Sequence, residues 1–152
     1  MSALSKTEAD APASEIAYDS NTAVLIDTNG FMIPVQFGVD IFSELQRLGF
    51  SKFLTIPAVV SELEKLSKTV PGKDRIAARV ALALSKKCVL LKAPVYEKGV
   101  RKSADDVIIE TANHYSVSVL TNDAALRQKL MKRGILVVSM RQMKRLDIIN
   151  QK

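Results

Sequence analysis

The amino-acid sequence predicts an α/β fold: a three-layer α/β/α sandwich around a mostly parallel, roughly five-stranded sheet. Three observations predict it. Short β-branched apolar runs recur along the chain, segments with apolar residues three and four apart separate them, and Gly or Pro marks most junctions. Strands that alternate with helices build parallel sheets covered on both faces. The 152 residues, 47% of them apolar, suit a single domain with one sizeable core.

Each element has its own signal. Thr22-Ala-Val-Leu-Ile-Asp27 reads as a first buried strand, closed by a turn at Asn29-Gly30. A loop through Pro34 leads to a helix near 39–48, with Ile41, Phe42, Leu45 and Leu48 on one face and Gly49 as its stop. Lys52 to Ile56 is a second strand. Pro57 then opens a helix to about Lys68, because a missing N–H costs little at the first helical position. Gly72 separates it from an Ala-rich helix over 73–86. Cys88 to Leu91 is a third strand, followed by a polar loop with Pro94 and Gly99. A helix from Ala104 to Tyr115, a strand from Val117 to Thr121, a helix over 123–133 ended by Gly134, and a fifth strand from Ile135 to Ser139 complete the pattern. Residues 1–20, rich in Ala, Ser and acids, are expected to form a mobile tail whose deletion leaves the domain of residues 21–152 folded.

Composition excludes several classes. The apolar runs are far shorter than the roughly 20 residues of a membrane span, and residues 1–20 lack the basic start and apolar stretch of a secretory signal. The single Cys88 permits no internal disulfide and no zinc site built on paired cysteines; it reads as a small buried hydrophobe. A soluble, cytoplasmic protein is the expectation. The net charge is +6, but residues 1–20 carry Lys6 against Glu8, Asp10, Glu15 and Asp19, so 21 bases face 12 acids in the rest, a +9 body. Such an excess suits a polyanion, whose phosphates Lys and Arg neutralise; it suits solubility equally well.

Four acids stand where solvation does not explain them. Asp27 and Asp123 come at or just after the carboxyl ends of predicted strands, the edge where open α/β sheets bind ligands. Glu62 lies three residues after Val59 and four before Leu66, which points it with them toward the core. Asp105, Ile108, Ile109 and Ala112 form one helical stripe, and Asp106 is rotated off it by about 100°. Converging carboxylates repel one another and call for a divalent cation; hard oxygen donors suit Mg²⁺ or Mn²⁺. Helix capping accounts equally well for Asp105 or Asp123 taken alone.

These residues resemble the PIN-domain family. Asp27-Thr28-Asn29 resembles its opening motif, Glu62 within Val59-Val-Ser-Glu-Leu-Glu-Lys-Leu66 its second acid, Ala104-Asp-Asp-Val-Ile-Ile-Glu-Thr-Ala112 its third motif and Thr121-Asn-Asp123 its fourth. The match covers about residues 22–148 in order and spacing. Thr121-Asn-Asp with Leu126-Arg127, and the Arg141-Gln-Met-Lys-Arg-Leu146 ending, look closer to archaeal PIN proteins allied to rRNA-processing nucleases than to VapC toxins. No Cys/His cluster matches the accessory zinc motif of larger relatives, and His114, the one histidine, reads as structural or surface rather than catalytic.

The resemblance implies a ribonuclease that hydrolyses RNA phosphodiesters at Asp27, Glu62, Asp105 and Asp123 with one or two Mg²⁺ or Mn²⁺ ions, and with Asp106 as a fifth ligand or a helix-start residue. Asn29 and Thr121 support the carboxylates. Arg127, Lys132, Arg133, Arg141, Lys144 and Arg145, with Lys98, Arg101 and Lys102, are the candidate cations for RNA phosphates, although a solvated charged face is the better account of any single Lys. The implied partners are RNA, a second copy of the chain, and an antitoxin or a ribosome-assembly protein. A VapC-like toxin and a non-catalytic RNA- or protein-binding module remain the alternatives. A receiver domain lacks its acidic pair and late lysine here, a haloacid-dehalogenase-type phosphatase lacks its Asp-x-Asp, and no Gly-rich nucleotide loop occurs.

Overall fold

Strand β1 (Ala23–Ile26) is the central strand, with all four side chains fully buried. A strand without a polar position needs neighbours on both edges and a layer on both faces. The parallel strands β2 (Lys52–Thr55) and β4 (Ser118–Leu120) flank it, so that Leu25 is in register with Leu54 on one side and Val119 on the other. β3 (Val89–Leu90) extends the sheet past β2, and β5 (Val137–Arg141) extends it past β4. A final strand, β6 (Arg145–Ile149), runs antiparallel along β5 and completes the order β3-β2-β1-β4-β5-β6. The computed structural model describes residues 17–92 and 103–149. Most of the expected tail, and the loop with Pro94, Lys98, Gly99, Arg101 and Lys102, lie outside the described residues.

Six helices occur among the described residues: α1 (Thr28–Phe37), α2 (Ile41–Arg47), α3 (Pro57–Thr69), α4 (Gly72–Ser85), α5 (Ala104–Tyr115) and α6 (Ala124–Lys132). From β1 the chain steps to β2 and β3 in one direction, then returns to β4 and β5 in the other. Right-handed crossovers therefore set α1 to α4 on one face and α5 and α6 on the opposite one. The packing agrees: α4 lies against both α1 and α3, while α5 meets α6. The α/β/α class is as the sequence predicts. No helix among the described residues is long and apolar enough to cross a membrane.

Three features differ from the sequence reading. The segment through Pro34 is helical: Asp27 caps α1 by accepting the Gly30 N–H at 2.6 Å, and Phe31, Met32 and Ile33 are buried on it. Those contacts outweigh the one hydrogen bond that Pro34 forfeits. The sixth strand was hidden because its hairpin turn has neither Gly nor Asn; Gln142 and Met143 both take positive φ, at 56° and 58°. Finally, Tyr18 and Ser20 belong to the folded body rather than to a tail. The Tyr18 N–H donates to the Tyr115 carbonyl at 3.0 Å, and the Ser118 hydroxyl donates to the Ser20 carbonyl at 2.5 Å.

The edge strand is covered by side chains. Glu44 on α2 accepts the Leu146 N–H at 3.0 Å, and Arg47 donates to the Leu146 carbonyl at 2.7 Å. These side chains stand in for a neighbouring strand and close one position to outside pairing.

Two outcomes follow for stability. Gly30 faces β4 so closely that an added Cβ would stand 2.8 Å from the Leu120 carbonyl oxygen. Gly30→Ala should cost about 1–3 kcal/mol in urea unfolding; an unchanged midpoint would show that α1 can shift freely. Deleting residues 1–20 should cost about 1–3 kcal/mol, contrary to the sequence expectation, because it removes the hydrogen bonds at Tyr115 and Ser118.

Candidate active site

The chain reverses its direction along the sheet between β1 and β4, and the carboxyl ends of two such strands leave a crevice between them. Asp27 follows β1 directly, and its N–H donates to the Leu120 carbonyl at 3.2 Å. Its carboxylate is 4% exposed. Thr121, fully buried after β4, joins the two acids of the crevice: its hydroxyl hydrogen-bonds to the Asp27 carboxylate and accepts the Asp123 N–H at 3.1 Å. Asp123 caps α6, accepting the N–H groups of Ala125 and Leu126 at 2.9 and 3.1 Å.

A cavity of about 140 Å³ opens at this point, lined by Asp27, Glu62, Asp105 and Asp123 together with Thr28 and Asn29. Ile56, Val59, Ile108 and Leu126 form its apolar side. All four acids singled out in the sequence therefore meet, although they come from four separate segments of the chain. Asp106 does not line the cavity; it is exposed, and its N–H donates to the Ser103 cap.

The acids are held unequally. Glu62 does not face the core as its helical stripe suggests, although Val59 and Leu63 on the same helix are buried. Its side chain is exposed at the cavity lip and accepts the Thr28 hydroxyl at 2.5 Å. Asp105 is partly exposed and pairs with Lys129 at 3.4 Å. Asp27 is the buried member. Desolvation pushes its carboxyl up to about 7, the hydrogen bonds from Thr121 and Gly30 oppose the shift, and the negative charges of Asp123 and Glu62 add to it.

The donor set has the chemistry of a hard divalent-cation site. It is all oxygen, and the charges acting on the buried carboxylate are negative. As the side chains stand, no three of the acids among the described residues close around a single point. Thr28, the α6 backbone and Lys129 hold Glu62, Asp123 and Asp105 apart.

The cations divide into two groups. Arg127 donates to the Ser139 hydroxyl at 3.2 Å, which in turn donates to Asn122 at 3.3 Å, so its guanidinium is held at the carboxyl edge of β5. Arg141, Lys144 and Arg145 form the exposed β5–β6 hairpin at that same edge, where Asp147 also pairs with Arg141 at 2.9 Å. Lys132 and Arg133 are exposed at the far end of α6, about 13 Å along the helix from Asp123 at 1.5 Å per residue. The structure does not bring them to the cavity. Sequence reasoning missed Lys129, which is 24 residues from Asp105 and meets it only through the packing of two helices. His114 is exposed and edge-on to Tyr115, and burial pushes the Cys88 thiol up to about 12, which keeps it protonated.

A family model described as a PIN like domain matches residues 24–143. The chain belongs to the PIN-like domain family. Ribonuclease VapC9 of Archaeoglobus fulgidus is 34% identical over 82% of this chain and 87% of its own length. Ribonuclease VapC4 of Methanocaldococcus jannaschii is 30% identical over 82% of this chain and 95% of its own. Among solved structures, the PIN domain endonuclease Utp24 superposes with a TM-score of 0.64 at 28% identity, covering 87% of this chain and 94% of that one. PAE2754 from Pyrobaculum aerophilum shares the fold, with a TM-score of 0.55 at 16% identity over 83% of this chain and 92% of that one. The PIN reading of the sequence is thereby established.

The buried carboxylate makes stability depend on pH. The folded carboxyl, at about 7, lies above the ordinary 3.8, so the folded state holds its proton more tightly. That contribution is complete below pH 3.8 and is lost as pH rises through about 7. With chelator present, Asp27→Asn, which retains a capping side chain, should therefore gain on the wild type between pH 5 and pH 8. The gain across that window is at most about 3 kcal/mol. Urea unfolding at both pH values measures it, and a difference independent of pH would reject the assignment.

Proposed function

We propose that this PIN domain is a divalent-metal-dependent endoribonuclease that hydrolyses RNA phosphodiester bonds at Asp27, Glu62, Asp105 and Asp123. One observation carries the reading: carboxylates from four chain segments line a single cavity at the reversal point of the sheet. Relatives named as ribonucleases and a solved PIN domain endonuclease support it.

PIN nucleases use divalent metals, and Mg²⁺ or Mn²⁺ at these oxygens would supply an activated water and neutralise charge on the phosphate. The chain's residues prepare for this. Asp27 is the fixed ligand, oriented by Thr121 and Gly30. Asp123, held by its cap, and Glu62, held by Thr28, would complete the ligand set by turning toward the cation, and the apolar side of the cavity limits water around them. Asn29 lines the same cavity and would hydrogen-bond a water or phosphate oxygen there. Arg127 and the hairpin cations Arg141, Lys144 and Arg145 lie on the edge that an RNA backbone would follow. Eight aromatics without Trp favour phosphate and shape recognition over base stacking.

For its role we propose rRNA processing in the cytoplasm, on the Thr121-Asn-Asp123 and Leu126-Arg127 motif. The second reading is a toxin-type ribonuclease with an antitoxin partner, favoured by the relatives named VapC. Sequencing the RNA crosslinked to the protein in cells separates the two: rRNA precursors support the first.

Purified protein should cut single-stranded RNA with Mn²⁺ or Mg²⁺ and lose that activity in chelator. Asp27→Asn should lower the rate by on the order of 100-fold or more, the scale for losing an electrostatic group in a transition state. Cleavage that persists in chelator, or in Asp27→Asn, would sink the proposal.

A further inference from the structure

Lys129 is six residues beyond Asp123, on the side of α6 that meets α5. Helical side chains tilt toward the amino terminus of their helix, so this one reaches back toward the cavity, and its Nζ stands 3.4 Å from Asp105 Oδ2. The two side chains are 54% and 33% exposed, and such pairs add little to stability. The pairing has another consequence. Among the described residues Asp105 is the one acid of the cavity held by a side-chain cation; Glu62 is held by a hydroxyl and Asp123 by backbone N–H groups. A divalent cation and Lys129 are then alternative partners for the same carboxylate.

We propose that Lys129 is a positioning residue that competes for Asp105 and so sets the affinity of the cavity for its divalent cation. The inference rests on the nuclease reading of the cavity. Its ammonium lowers the affinity twice, by keeping Asp105 turned toward α6 and by adding positive charge nearby. The first effect runs through Asp105 and disappears with it, which makes the two separable.

Calorimetric titration of the metal-free full chain with Mn²⁺ tests this. Lys129→Gln should bind Mn²⁺ about two- to fivefold more tightly than the wild type, the scale of an exposed ion pair. Lys129→Arg, which keeps the pair, should match the wild type. In an Asp105→Asn background, Lys129→Gln should retain less than half of that gain. Unchanged or weaker binding by Lys129→Gln overturns the proposal, as does a gain that survives in full without Asp105. A wild type that binds no Mn²⁺ overturns the cation-site reading itself and this proposal with it, so the two failures are distinguishable.

Discussion

Asp27 is tied on every side. Its N–H continues the β1–β4 pairing at Leu120, its carboxylate accepts from Gly30 at the start of α1, and Thr121 binds the same carboxylate from the end of β4. Placing a carboxylate there is costly, because the surrounding side chains are apolar and the nearby charges are negative. Three parts of the fold bear that cost together. β1 and β4 must be adjacent, Gly30 must lack a side chain so that α1 can approach the Leu120 carbonyl, and Thr121 must supply a hydroxyl.

The remaining acids surround this anchor with increasing freedom. Asp123 is fixed by the helix it caps, Glu62 by one hydroxyl at the lip, and Asp105 by a partly exposed lysine. Rigidity thus falls from the buried crevice outward. The proposed cation site would then have a fixed origin and adjustable outer carboxylates, an arrangement suited to binding a cation and a phosphate together. The cations follow the same geometry. Those at the carboxyl edge, Arg127 and the hairpin, share a rim with the acids, whereas Lys132 and Arg133 are carried away by the length of α6.

The α/β class was legible because the central strands are uniformly apolar and the helices are striped, and both patterns are local. The four acids were legible because each either follows such a strand or falls near the inner side of such a helix. What escaped was governed by competition between local and distant forces. Pro34 signals a loop, yet the cap at Asp27 and the burial of Phe31 and Ile33 make the segment helical. The β5–β6 hairpin turns on Gln142 and Met143, which carry no turn signal and are forced to positive φ by the strands on either side. Tyr18 and Ser20 read as tail because their partners, Tyr115 and Ser118, are nearly a hundred residues away.

The sequence by itself determined the family, the alternation of strands and helices, and which carboxylates to watch, since residue identity and periodicity are properties of the chain. Tertiary structure decided how those carboxylates differ. Burial depends on what packs above a side chain, and only the β1–β4 junction makes Asp27 the desolvated member. Whether a charge lies near the site depends on the pitch and length of the helix carrying it, which brings Lys129 to Asp105 and removes Lys132 and Arg133. Interactions between distant segments are a property of the packed sheet, and no local pattern encodes them.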